Sequence, residues 1–209
     1  MRGVLIFILF SGLVSTVSAQ DNYKPFKFGW RYGYGLNTGE SLSGITFDLE
    51  PAVRINYYTV SFFRFESILA SDSRENNTSR SMDAYSISLG GQYYLFERGR
   101  FRFYAGIGLG FYYPYYSEES RFQSGYNQTI SSVELSSDRR NLFYPRIGFD
   151  FGHFNLLVDF NLIPSSEGIK RTSFYNNTTR ISYSSYEDIE INNSYISFKL
   201  GFSLGGGSR

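Results

Sequence analysis

The feature that most restricts this chain is an apolar/polar alternation with a period of two, repeated in segment after segment from Phe26 to Leu204. Successive side chains of a strand point to opposite faces, so each such row builds a strand with one apolar and one polar face. The first row is Phe26, Phe28, Trp30, Tyr32, Tyr34 and Leu36, interleaved with Lys27, Gly29, Arg31, Gly33 and Gly35. Further rows run over 47–57, 63–69, 85–95, 101–111, 143–151, 154–162 and 196–204. The count is eight amphipathic strands, most near the length that carries a tilted strand across a bilayer. No helical pattern exceeds a turn.

The connectors alternate in length. Tight turns are expected around 56–62, at Glu97-Arg98-Gly99 and at Gly152-His153, with Gly99 suited to the left-handed position of a three-residue loop. Long polar connectors are expected at 37–45, 71–83, 113–140 and 164–194. The last two carry alternation of their own, as in Ile181/Tyr183 and Ile189/Ile191, as hairpins continued beyond a membrane would.

Size decides which face looks inward. An eight-stranded barrel has a lumen just wide enough to be filled by side chains. The aromatic rows are too bulky for it, whereas the opposite rows hold Gly, Ser, Asn and charge. Within the strand segments Lys27, Arg31, Asp48, Glu50, Arg54, Arg64, Glu66, Arg102, Arg146, Asp150, Asp159 and Lys199 all share the glycine-bearing parity, and no charge falls on the aromatic one. A Lys or Arg on a lipid face near the midplane costs about 2–4 kcal/mol. The aromatics therefore face lipid. On this reading Val158→Arg is costly, and Asn155→Arg or Asn161→Arg on the inner parity costs less.

Residues 1–19 read as an export signal: Arg2, an apolar run from Val4 to Phe10, and the small-residue cleavage site Val17-Ser18-Ala19. The expected organisation is a signal peptide over 1–19, a barrel over 20–204 and a short tail over 205–209. The chain has no cysteine, which excludes a disulfide framework, a thiol nucleophile and a cysteine-ligated metal. A formal net charge of +1 gives no grip on nucleic acid.

With these residues in place, the chain resembles small outer-membrane β-barrels of the OmpA transmembrane-domain and OmpX type. The closing strand carries the resemblance most specifically. Lys199, Gly201, Phe202 and Leu204 match the polar–x–Gly–apolar–x–apolar signal by which the last strand is recognised for assembly. The resemblance implies an all-β fold, a closed antiparallel up-and-down transmembrane barrel in the outer membrane of a Gram-negative bacterium. It also implies turns inside, long loops outside, lipid and the barrel-assembly machinery as partners, and a monomer.

Candidate chemistry is sparse. His153, the single histidine, sits in a turn without a Ser or acid beside it, so no catalytic residue is expected. No metal ligand set or cofactor site is expected either. Gly106, Gly108 and Gly110 are not a phosphate loop, since no helix N-terminus follows. They face Gly29, Gly33 and Gly35 across the barrel. Either a slot is left open between the two stripes, or Arg31, Arg64, Tyr94, Arg102, Tyr104 and Tyr144 fill it. The expected lumen network is Arg31, Glu50, Arg54, Arg64, Glu66, Arg102, Arg146, Asp150, Asp159 and Lys199. The two-residue turn at Gly152 sets Arg146 opposite Asp159 as a buried pair, with Gly148 leaving room for the guanidinium. Tyr112, Tyr113, Tyr115 and Tyr116 read as an interfacial girdle.

Three functions fit: a non-enzymatic surface scaffold presenting 113–140 and 164–194 to an extracellular partner, a narrow pore or small-solute carrier through a glycine-lined lumen, and an accessory subunit of an export machine.

Overall fold

The computed structural model describes residues 25–39, 43–74, 78–124, 127–135, 138–176 and 179–205. The expected signal peptide lies outside them, as does the tail past Gly205. Eleven strands follow in order: β1 (Phe26–Asn37), β2 (Ser43–Arg54), β3 (Thr59–Arg74), β4 (Thr78–Arg98), β5 (Phe101–Ser124), β6 (Asn127–Leu135), β7 (Arg140–Phe151), β8 (Phe154–Asn161), β9 (Ser166–Asn176), β10 (Ile181–Ile191) and β11 (Tyr195–Gly205).

Eight of them close a ring. β1 through β5 pair in sequence, β5 pairs β7, β7 pairs β8, β8 pairs β11, and β11 pairs β1, every contact antiparallel. This is the closed up-and-down barrel that the alternation predicts. The remaining three extend it upward. β5 runs on past β7 and pairs β6, β6 pairs β9, and β9 pairs β10. With the far halves of β3 and β4 they form a six-stranded sheet, open at β10 on one side. One row of this sheet runs Arg80, Glu118, Val133, Lys170, Glu187 across five strands.

Connectors 113–140 and 164–194 continue as hairpins, as their own alternation suggested, and 71–83, expected as a loop, is mostly strand as well, because each pair of arms hydrogen-bonds to its neighbour and leaves few free backbone groups. Tyr57 is not in a strand: the Asn56 side chain accepts from the N–H groups of Tyr58 (2.9 Å) and Thr59 (2.8 Å) and turns the chain there. The turn after β4 has two residues, since Arg98 pairs with Phe101, and Gly99 takes φ +62° at its first position. Gly152 does the same before β8, at φ +60°. A positive φ there fits the type II′ turn whose twist matches the flanking strands. β4 carries a bulge between Tyr94 and Phe96, so Leu95 and Phe96 both point outward. β11 ends at Gly205, one residue beyond the expected end.

The faces fall as charge parity requires. All twelve strand charges named above are buried, none more than 6 % exposed. Outside, Phe28, Tyr32, Phe63, Leu89, Ile107, Phe149, Leu156 and Phe202 belong to a broad exposed apolar belt. The tyrosine cluster divides: Tyr115 is exposed, but Tyr112 and Tyr116 are buried inside, because they share the inner parity with Arg102.

Candidate functional site

The lumen is built from two charged clusters. In the larger, Lys199 on β11 is the hub. Its Nζ lies 3.0 Å from Asp48, 2.7 Å from Glu66 and 2.8 Å from Asp159. Arg64 bridges Asp159 (2.7 Å) and Glu66 (3.0 Å) and stacks on the Tyr144 ring at 3.6 Å. Arg31 holds Asp48 at 2.7 Å and Glu50 at 2.5 Å, and Arg146 reaches the same Glu50 at 2.6 Å. The smaller cluster lies toward the tight turns. Asp150 takes Lys27 at 2.7 Å, Arg102 at 3.5 Å and the Tyr94 hydroxyl at 2.8 Å. Arg54, at the same end, donates to the Tyr57 carbonyl at 2.7 Å and lies 3.8 Å from Glu97.

Arg146 and Asp159 are register partners, with Arg146 Nε 3.4 Å from Asp159 Oδ1. They are not an isolated pair. Arg146 bonds more closely to Glu50, and Asp159 to Arg64 and Lys199. Nor does Gly148 shelter the guanidinium: the Tyr104 ring and hydroxyl occupy the space above it. Asn155, which parity places inside but no charge argument singles out, links the clusters. It accepts from Arg31 at 3.3 Å, donates to Tyr104 at 2.9 Å and bonds Asp150.

The glycine stripes are covered in part. The Tyr144 ring lies over Gly108, its hydroxyl 2.9 Å from Ser88. The Lys199 stem lies over Gly33, and the Arg31 stem over Gly201. Tyr195 and Ile68 lie beside Gly35. A Cβ at Gly29 would meet nothing closer than 3.8 Å, and the atoms nearest Gly106 and Gly110 belong to their register partners on β4, Gln92 and Ser88, and to the residues beside those. Over Gly33, Gly108 and Gly201 side chains therefore stand where the open slot was expected. Gly108→Ala is expected to destabilise by about 1–3 kcal/mol, because the added methyl must displace a packed ring; chemical unfolding in lipid vesicles measures it. A cost near zero would show that Tyr144 is not held there.

Above the charged layer the interior turns apolar. Met82, Ala84, Leu142, Ile163 and Ile191 are buried at the loop end, with Tyr112 and Tyr195 at 6.3 Å between ring centres. In the wall of β1–β3 near the tight turns lies an apolar hollow of about 680 Å³, bordered by the outward Phe28, Pro51 and Phe63 and by the inward Lys27, Ala52 and Phe62. Pro51 has no N–H, and the β2–β3 ladder lapses at Glu50 and Pro51 for that reason. The His153 ring Nδ1 lies 3.0 Å from the Ser203 carbonyl, and among the described residues no group of acids and histidines could hold a metal. Of the assembly-signal residues, Lys199 and Gly201 point inward and Phe202 and Leu204 outward.

A closed eight-stranded barrel with a charged, filled interior and an apolar outer belt has the fold of small outer-membrane β-barrels. Neisserial surface protein A is similar at 10% identity and a TM-score of 0.50, over 88% of this chain and 99% of that one. OprG from Pseudomonas aeruginosa gives 14%, 0.49, 87% and 97%. Ail, the attachment invasion locus protein of Yersinia pestis, gives 12%, 0.39, 88% and 100%. No family model matches the chain, and no curated protein matches it.

Proposed function

We propose that this chain is a non-enzymatic surface protein of a Gram-negative outer membrane, in which a filled barrel anchors a projecting six-stranded sheet that makes the functional contacts. The observation that carries this reading is the filling of the lumen. Arg31, Arg64, Arg146, Tyr104 and Tyr144, each at most 2 % exposed, occupy the width a solute would need. A side chain in an ion-pair cluster moves only if another charge is left unpaired, so the plug is not readily shifted. What remains free to engage a partner is the sheet of β3–β6, β9 and β10, where Tyr115, Ile169, Tyr183 and Tyr186 are exposed.

The chain's lack of cysteine gives a direct test. Tyr186→Cys on β10 is expected to react with a membrane-impermeant thiol reagent on intact cells, and Arg100→Cys in the β4–β5 turn is not. The opposite pattern would refute the orientation. In planar bilayers the purified barrel is expected to give no resolved single-channel steps. Steps of defined conductance would refute the filled-lumen reading and restore the conduit.

A further inference from the structure

We propose that the apolar hollow in the wall of β1–β3 is a binding site for one acyl chain of a membrane phospholipid, drawn from the leaflet on the tight-turn side.

The hollow opens where the outward side chains of the belt shrink. One outward row pairs Phe28 with Pro51, and Phe63 with Leu89. The next row toward the tight turns runs Phe26, Val53, Ser61, Gly91 in register across β1 to β4. Val53, Ser61 and Gly91 are small and half-buried, whereas Phe26, Phe28 and Phe63 are exposed and stand beside them as ridges. A Cβ at Gly91 would meet only the Val60 carbonyl oxygen, at 3.8 Å. The Ser61 hydroxyl is turned onto the Gly90 carbonyl at 3.3 Å, so the floor of the hollow is not polar.

Position and charge select the occupant. The hollow is cut into the belt that faces lipid, so hydrocarbon is the medium it opens on. Its volume of about 680 Å³ lies in the range of small-ligand sites. Among the described residues that border it the one charge is Lys27, which points inward and holds Asp150 at 2.7 Å. An acyl chain fits such a lining and a charged headgroup does not. Depth selects the leaflet. Val53 and Ser61 stand beside the turn between β2 and β3, where Tyr57 and Tyr58 are exposed and Tyr58 stacks on Tyr93. Exposed tyrosines at a barrel end mark the level of the headgroups. A chain lying between the phenylalanine ridges touches protein on more than one side, whereas a chain on the flat belt touches one. Within a bilayer no hydrophobic transfer favours either place, so this gain in packing contacts is what distinguishes the site.

Trp30 is the one tryptophan of the chain, so Trp30→Phe leaves a silent background for fluorescence. On that background Leu89→Trp puts a reporter at the edge of the hollow, and Phe149→Trp puts one on the belt at β7, across the barrel. Each full-length variant, folded in detergent, is titrated with phosphatidylcholine brominated along its acyl chains. Quenching of Leu89→Trp is expected to saturate near one lipid per chain, and quenching of Phe149→Trp is expected to rise only in proportion to the lipid added. Adding Ser61→Phe, which fills the hollow with another apolar ring, is expected to remove the saturable phase. Curves of the same shape at the two reporters, or a saturable phase that survives Ser61→Phe, would overturn the proposal. The unmodified protein supplies a second measurement: after exhaustive detergent exchange, phosphorus analysis is expected to find about one phospholipid per chain. Finding none would overturn the proposal as well.

Discussion

Asp159→Asn is expected to destabilise the barrel by about 3–5 kcal/mol, because it removes an acid shared by three buried cations. Lys199 and Arg64 lie 2.8 and 2.7 Å from Asp159, and Arg146 lies 3.4 Å away. All of them are at most 2 % exposed, so none can turn to water when the carboxylate is lost. A buried pair adds little net stability when complete; the cost comes from what is stranded. Urea unfolding in vesicles measures it, and a cost below about 1 kcal/mol would mean that water reaches the cluster. The double cycle Arg146→Ala with Asp159→Ala is expected to give a coupling of about 0.5–3 kcal/mol. Strict additivity would leave Glu50 as the working partner of Arg146.

Val158→Arg, in the middle of β8 on the outer belt, is expected to cost about 2–4 kcal/mol. The matched change Ser184→Arg on β10 is expected to stay within about 0.5 kcal/mol, since Ser184 is exposed beyond the barrel. Equal tolerance of the two in the same unfolding experiment would mean that the belt does not face hydrocarbon. The inner-row comparison does not serve as a mild control. Asn155 and Asn161 are at most 2 % exposed and hydrogen-bonded to Arg31, Arg64 and Tyr104, so an arginine there meets a filled space and another cation.

How far the sequence could be followed depended on locality. Face assignment was legible because period-two alternation is local and a wrong face for any one of a dozen charges would be costly. The register of Arg146 with Asp159 was legible because a two-residue turn lies between their strands. The partnerships of Glu50 with Arg146 and of Arg64 with Asp159 were not, because they cross the lumen and depend on the shear of the closed ring. The covering of Gly108 by Tyr144 and of Gly148 by Tyr104 was hidden for the same reason. β6, β9 and β10 were only hinted at, since exposed strands need no contrast between their faces. Ile181/Tyr183 and Ile189/Ile191 gave a short alternation and nothing to fix a partner.

The seam between β1 and β11 joins Lys27 to Gly205, the two ends of the described chain. Five of the seven other pairings in the ring are hairpins of consecutive strands, which can form early and locally, while this contact must wait for β11. Contacts of such wide separation are slow to form, because the search for them is entropically costly. Lys199, the hub of the larger cluster, arrives only with the final strand, so until then Asp48, Glu66 and Asp159 lack their common cation. An unsealed ring would also expose backbone donors and acceptors to hydrocarbon, which does not tolerate them. In a bilayer, closing the ring and withdrawing its free edges from hydrocarbon would therefore coincide, both waiting for β11, and a chain stalled before Lys199 lacks both the seam and the cation that Asp48, Glu66 and Asp159 share.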